Sequence, residues 1–346
     1  MNEPQSRKSI FQSHPRITLT VINCILLLCL DLLAGAILLP PATGIPHHYY
    51  HHDLKRDLNV PVVWGLESNS RYYTNNLGFR TGQPETLDLE GRERRILVLG
   101  DSFIEGVGVN YTTTVVGGLS YRIPVVRFLN AAISSYSPKL YYLKTRYLLE
   151  GGLKIHGALV FIDISDIQDE IGYSNFQPVA FLSPGFIARR LDVALRNHSY
   201  LYSRLIREAL LYALHFLSDG RIGGSPSLVE GGAGSRDEAI HSYYQKRSLW
   251  TVDQREFRAW GERGLELARG SMQQLTDLCR AHEIPLTLVV YPWPTQIRAA
   301  DRNSKQVRFW QDFAARNQIG FIDLFPVFIP HTANAAEREK IIEAFY

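Results

Sequence analysis

Arg95-Ile-Leu-Val-Leu-Gly-Asp-Ser-Phe-Ile-Glu-Gly-Val-Gly-Val109 is the stretch on which the fold turns. Ile96 to Leu99 are branched and apolar without a polar break, which predicts a strand covered on both faces. The run stops at Gly100-Asp101-Ser102, and the chain turns polar and glycine-rich before the next regular segment. A serine placed there lies at the carboxyl edge of a parallel sheet, where open α/β folds take their ligands.

Outward from this stretch, short apolar runs alternate with helical ones. Arg95–Leu99, Val125–Leu129, Gly157–Ile162, Pro285–Tyr291 and Gly320–Leu324 predict strands. Thr112–Arg122, Lys139–Glu150, Val252–His282, Lys305–Asn317 and Ala335–Phe345 predict helices. On the longest of them Phe257, Trp260, Gly264, Ala268, Met272, Leu275 and Cys279 recur at helical spacing, a stripe that packs on a core. This alternation is the signature of βαβ units. The expected class is α/β, a flavodoxin-like three-layer fold around a five-stranded parallel sheet.

Residues 165–250 exceed any minimal connection between the third and fourth strands. They hold an apolar helical part, Ile187–Leu217, and then Gly-Gly-Ser-Pro and Glu-Gly-Gly-Ala-Gly-Ser, a flexible composition. Such an insertion at the carboxyl edge serves as a lid, as a surface for a long substrate, or as a tolerated surface elaboration.

At 346 residues and 45% hydrophobic, the chain can bury a large core. A formal charge of +3 without a basic stripe excludes nucleic acid as an expected partner. Cys279 is alone in the soluble part, Cys24 and Cys29 lying in one apolar run, so no disulfide can be drawn there. That run, Ile17 to Leu39, is long and apolar enough to span a bilayer as a helix. Arg7, Lys8 and Arg16 precede it, which places the amino terminus in the cytoplasm and the remainder outside. A signal peptide cleaved near Ala34-Gly35-Ala36 is the competing reading, and continuation of the run past that site favours an uncleaved anchor. Asp31, inside the span, either faces a partner or reaches the interface. The expected organisation is a cytoplasmic tail (1–16), a transmembrane helix (17–39), a juxtamembrane linker and lead-in (40–94) and the α/β domain (95–346). Within the lead-in, His47-His-Tyr-Tyr-His-His52 lacks an acidic or cysteine partner at ligand spacing and is expected to be a solvated linker rather than a metal site.

Gly100-Asp101-Ser102, with its preceding strand and the Glu-Gly-Val-Gly behind it, resembles the first block of the SGNH, or GDSL, hydrolases. Asn75-Asn-Leu-Gly-Phe-Arg80 and Leu288-Val-Val-Tyr-Pro-Trp-Pro294 are similar to elements of membrane-anchored bacterial members. The resemblance implies that Ser102 is a nucleophile whose own N–H is one oxyanion donor, with Asp101 bracing the turn. Asn130-Ala-Ala-Ile-Ser-Ser-Tyr136 corresponds to the second block, with Ser135 where the family has a glycine whose N–H is the second donor. Asp163-Ile-Ser-Asp166 corresponds to the third, with Ser165 in place of a donor asparagine; Asp166 and Asp169 keep the site acidic, either orienting a polar substrate or capping the helix that follows.

The family's Asp-x-x-His, which supplies the general base, occurs nowhere in the sequence. Either it follows Tyr346, the final part of the domain then being missing, or the chain is a variant without its base. His331, the one histidine after the fifth strand, is a substitute base or a surface-loop residue. The implied protein is an inner-membrane serine ester hydrolase or O-acyl (acetyl) transferase, acting outside the cytoplasm on an acylated surface glycan, with no cofactor and no metal. The alternative is an inactive SGNH-like module that binds glycan or an assembly partner.

Overall fold

The computed structural model describes residues 14–62, 71–207 and 247–346. Ten strands form among them: β1 (Gly44–His47), β2 (His51–Leu54), β3 (Asn59–Pro61), β4 (Arg71–Thr74), β5 (Arg80–Thr81), β6 (Arg94–Leu99), β7 (Val126–Asn130), β8 (Ala158–Ile162), β9 (Leu286–Val290) and β10 (Gly320–Asp323). The last five are the predicted ones. They pair in parallel in the order β7-β6-β8-β9-β10, the 2-1-3-4-5 order of a flavodoxin-like sheet. Strand order reverses between β6 and β8, so the crevice that such a sheet offers a ligand opens where Ser102 and Ser165 leave the sheet.

The sheet is larger than five strands. Arg80 of β5 pairs antiparallel with Asn130 of β7, and β4 and β3 continue outward, giving eight strands. These additions come from the lead-in and are two to four residues long, too short to carry an alternating pattern. The His-rich segment is not a solvated linker either. It folds as the hairpin β1–β2, with His47 stacked on Tyr50 at 3.6 Å and Asp53 paired with the buried Lys144 at 2.9 Å.

Side chains alternate across the parallel strands and build two cores. Leu97, Leu99, Val160, Ile162, Leu288 and Val290 join the larger one, while Val98, Phe161 and Val289 face the smaller. Among the helices are α1 (Pro15–Leu38), α2 (Ser102–Glu105), α3 (Val115–Arg122), α4 (Pro138–Glu150), α5 (Asp166–Tyr173), α6 (Pro184–His198), α7 (Glu262–Ala281), α8 (Pro294–Arg298), α9 (Lys305–Asn317), α10 (Phe325–Phe328) and α11 (Ala335–Phe345). Leu265, Ala268, Met272, Leu275 and Cys279 of α7 and Leu140 and Leu148 of α4 lie in the larger core. The helix expected over Val252–His282 runs without a break from Gln254 to Ala281, helical at Gln254–Glu256, widened over one turn at Phe257–Gly261 and continuing as α7. Gly261 passes so close to Trp250 that a Cβ there would lie 2.8 Å from that side chain.

The chain divides into two compact units, Thr43–Phe186 with Gly224–Tyr346, and Met1–Ala42 with Ile187–Gly223. The first carries the sheet from Thr43 onward, so the lead-in belongs to it. In the second, α1 is long and apolar enough to cross a membrane, with a mean hydropathy of 2.5 over its most apolar window. Length and composition alone carry that statement, and a signal sequence meets the same criteria. The glycine-rich part of the insertion and the end of Ile187–Leu217 lie outside the described residues.

Candidate active site

The Ser102 loop begins where β6 ends, at Gly100, which packs against Ile104 closely enough that a Cβ would sit 2.7 Å from it. Asp101 then caps α2, its Oδ1 accepting the Phe103 N–H at 3.0 Å, as an N-cap aspartate should. Its Oδ2 accepts the Ser102 hydroxyl at 3.2 Å. Asp101 therefore braces the turn and also holds the serine side chain.

Groups far away in sequence fix this loop from below. Asn75 Oδ1 accepts the N–H groups of Leu77 and Phe79, a local turn that aims the following Arg80 inward. The buried Arg80 guanidinium donates to the carbonyls of Glu105, Gly106 and Val109 and stacks on Tyr72 at 4.5 Å. Gly106 has φ +79 and touches both Arg80 and Thr114 where a Cβ would stand, so the position accepts no side chain. The Glu105 carboxylate accepts the Tyr72 hydroxyl at 2.6 Å and both the N–H and hydroxyl of Ser134, at 2.6 and 2.8 Å. Asn130 donates to the Ile104 carbonyl at 3.1 Å. It is buried and acts as a tie between β7 and α2. The His-rich hairpin contributes as well: His52 Nε2 lies 2.9 Å from the Ser134 carbonyl, and the Tyr136 hydroxyl donates to the His52 carbonyl at 2.6 Å.

Above the loop opens a cleft of about 720 Å³ lined by Asp101, Ser102, Ser134, Ser135, Asp163 and Ser165 on one side and by Trp293, Pro294, Thr295, Arg298, Ile342 and Tyr346 on the other. Ser102, Ser135 and Ser165 thus share one cavity. Ser135 sits at φ +61, the left-handed region that glycine favours. The backbone keeps the shape a glycine would give it while carrying a serine. Ser165 is the residue before α5, but its side chain makes no capping hydrogen bond, and its N–H goes to Asp163 Oδ1 at 2.7 Å.

The floor of the cleft holds three carboxylates, Asp101, Asp163 and Asp166, with oxygens within 4.8 Å of one another and all three residues buried. Donors surround them. Tyr291 and Trp293 both donate to Asp163 Oδ2, at 2.6 and 2.8 Å; Tyr141 and the Asp163 N–H donate to Asp166 Oδ2, at 2.8 and 3.1 Å. Asp166 is therefore a core prop rather than a substrate contact. Burial, and then the Asp163 charge, push the Asp101 and Asp166 carboxyls well above the ordinary carboxylate range. Burial also raises Asp169, to about 6, against the pull of Arg247, which is paired with it and reaches the Ser165 carbonyl.

His331 is not brought to the site. It stands exposed in the turn before α11, and among the described residues no histidine lines the cleft. Sequence reasoning missed Asp163 as the hub of the floor, Glu105 and Arg80 as the buttress, and Trp293 and Tyr346 as the far wall. Glu-Gly-Val-Gly, Asn75-to-Arg80 and Tyr-Pro-Trp-Pro marked these regions, but only tertiary contacts give them their roles. Tyr346 donates its hydroxyl to the Pro292 carbonyl and stacks on Phe103.

No protein-family model and no curated protein matches the chain. Among solved structures, AlinE4, an SGNH-hydrolase family esterase, is 13% identical, covering 73% of this chain and 93% of that one with a TM-score of 0.34. TesA is 12% identical, covering 72% and 94%, with a TM-score of 0.35. A catalytic mutant of Axe2, an acetylxylan esterase from Geobacillus stearothermophilus, is 13% identical, covering 75% and 94%, with a TM-score of 0.33.

Proposed function

We propose that this cleft transfers acyl groups through Ser102. The protein is then a serine ester hydrolase, or an O-acyl transferase that hands an acetyl-type group to a sugar hydroxyl, with a surface glycan as substrate. In this proposal α1 anchors it in the inner membrane and the sheet unit lies outside the cytoplasm, an orientation supported by Arg7, Lys8 and Arg16. One observation carries the reading: Ser102 stands at the strand-order reversal in the same cleft as Ser135 and Ser165. The Ser102 oxygen attacks an ester carbonyl, and the resulting oxyanion takes hydrogen bonds from the Ser102 and Ser135 N–H groups and the Ser165 hydroxyl. Each such donor is worth on the order of 3 kcal/mol in the transition state. Collapse expels the alcohol and leaves an acyl-serine, which water or a second hydroxyl then cleaves.

The serine proton needs an acceptor. Asp101 is the group hydrogen-bonded to the Ser102 hydroxyl among the described residues, and a raised carboxyl pKa makes it a stronger base when ionised, but less often ionised. An imidazole introduced after Tyr346 would enter the cleft from its far wall, since Tyr346 lines it. A second reading, a glycan-binding module without turnover, is favoured by the Trp293 and Tyr346 rings that a sugar could cover, with no histidine lining the cleft among the described residues.

Fluorophosphonate labelling and p-nitrophenyl acetate hydrolysis, measured on the chain and on a version extended past Tyr346 with Asp-x-x-His, separate the two readings. Acyl transfer predicts labelling of Ser102 and a gain of at least about 10²-fold in turnover on extension, with Ser102→Ala losing both by about 10³-fold or more. No labelling and no turnover in either form would leave the binding module.

A further inference from the structure

Asp31 is a carboxylate in the middle of an otherwise apolar helix, and its cost in lipid calls for a partner. The structure supplies one from the insertion. Asp31 Oδ1 accepts the Leu201 N–H at 2.7 Å, and the Ser199 hydroxyl and Tyr200 N–H also bond to this carboxylate. These groups open the helical segment that runs from Tyr200 to Arg207, so the acid caps a helix start donated by another part of the chain. One turn further along α1, Gly35 is its single buried residue. A Cβ there would lie 2.0 Å from the His198 carbonyl oxygen, the close approach for which small residues are used between membrane helices.

The segment docked in this way is itself amphipathic in an unusual sense. Ile187, Leu191 and Leu195, spaced i, i+4 and i+8 on α6, are 50%, 59% and 37% exposed, and Leu201, Leu205 and Ile206 continue the apolar exposure. Arg189, Asp192 and Arg196 occupy the opposite side of the α6 wheel, with Arg196 paired to Asp192 at 3.0 Å. Residues 187–207 hold five arginines, Arg189, Arg190, Arg196, Arg204 and Arg207, against one acid, Asp192. An exposed apolar stripe backed by arginines, fastened to a helix of transmembrane length, has the chemistry of a segment lying in the plane of a bilayer surface.

We propose that Ile187–Arg207 is a second membrane contact, docked on α1 through Asp31 and Gly35, with its leucine and isoleucine stripe among the acyl chains and its arginines at the phospholipid headgroups. The proposal rests on the reading of α1 as a membrane span. It gives Asp31 a purpose, since the carboxylate is satisfied by peptide N–H groups at the depth where it would otherwise be bare. It also assigns the helical start of the insertion to the membrane rather than to a lid over the cleft.

Depth-dependent fluorescence quenching on the full chain tests it. Single cysteines at Leu27, Leu191, Leu195 and Arg196 are labelled with an environment-sensitive dye in a Cys24→Ala, Cys29→Ala background. Cys279 stays unlabelled there, because burial raises its thiol to about 12. The labelled chain is reconstituted in phosphatidylethanolamine–phosphatidylglycerol vesicles containing doxyl lipids. Positions 191 and 195 should be quenched severalfold more strongly than position 196, and Asp31→Leu should return position 191 towards its water value while position 27 stays quenched. Quenching at 27 together with water-like 191 and 195 overturns the proposal and leaves the anchor intact. No quenching at 27 means that the anchor reading itself has failed. Full quenching at 191 in both Asp31→Leu and Gly35→Leu would refute the docking on α1.

Discussion

On one side of the cleft Ser102 is held by Arg80, Glu105, Asn130 and Asp101, a set of buried hydrogen bonds drawn from three separate stretches of chain. On the other, Trp293, Pro294, Thr295 and Tyr346 present rings and a helix start, tied to α11 by an exposed Arg298–Glu339 pair at 2.8 Å. The first wall is held by several buried hydrogen bonds, the Arg80 guanidinium alone reaching the carbonyls of Glu105, Gly106 and Val109. The second is tied residue by residue, the Trp293 indole to Asp163, the Thr295 hydroxyl to Ser248 and the Tyr346 hydroxyl to the Pro292 carbonyl. A site arranged in this way holds Ser102 more firmly than the groups that face it.

The sharpest way to break this contrast is to disturb each wall in turn. Arg80→Ala removes the donor shared by three loop carbonyls and should destabilise the protein by on the order of 3 kcal/mol, with loss of Ser102 labelling at temperatures where the chain is still folded. Arg298→Ala, across the cleft, should leave the unfolding midpoint unchanged, because both partners are about half exposed. Equal effects of the two in thermal unfolding would abolish the distinction between the walls. Ser165→Ala tests the donor role of the first wall more narrowly. Turnover of an acetyl ester should drop about 10²-fold with little change in KM, and a change confined to KM would remove Ser165 from the oxyanion site.

The acidic floor beneath that wall should show in pH dependence. Folded Asp101 and Asp166 keep their protons well above the ordinary range, and Asp169 to about 6, whereas the unfolded chain releases them near 4. The folded state therefore binds more protons over this window and beyond, and stability falls as pH rises. His47 acts oppositely: burial lowers it to about 4 from 6.5, so its contribution grows as pH rises between those values. Above about pH 6.5 only the raised carboxylates still act, and the unfolding midpoint should decline as pH rises further. Asp166→Asn should flatten that decline, and a midpoint rising with pH in the parent chain would contradict the proton inventory of the floor. The smallest effect is expected at Ser135, where glycine relieves the left-handed backbone at the cost of a more flexible unfolded chain. Ser135→Gly should stabilise by no more than about 1 kcal/mol in denaturant unfolding, and a clear destabilisation would mean that the side chain is needed.

Much of the parallel sheet could be read directly, because the runs at Ile96–Leu99 and Ala158–Ile162 are continuous and apolar, and the other three are short, mostly apolar and separated by helical stretches. Ser102 was legible for the same reason: a strand end is a local event. Arg80 and Glu105 were visible as a pattern but silent as chemistry, since their meaning lies in carbonyls and hydroxyls that only the folded chain brings within reach. Asp163 was harder still. Its two ring donors come from Tyr291 and Trp293, on the far side of the insertion, and no spacing rule joins residues so distant. The strands β3 to β5 escaped notice because two to four residues leave no period to detect, and the hairpin at His47–His52 because an aromatic, imidazole-rich composition looks like a polar linker until Lys144 and Asp53 meet beneath it.

That hairpin bears on where the molecule can be cut. Someone excising a soluble fragment for crystallisation would naturally start it at Arg94, just ahead of the first long strand. Such a fragment would leave Lys144 without its Asp53 partner, strip Ser134 and Tyr136 of their His52 contacts, and free the Glu105–Gly106 carbonyls from Arg80. A start at Thr43, four residues after the transmembrane-length helix gives way at Leu39, preserves these contacts together with the whole hairpin.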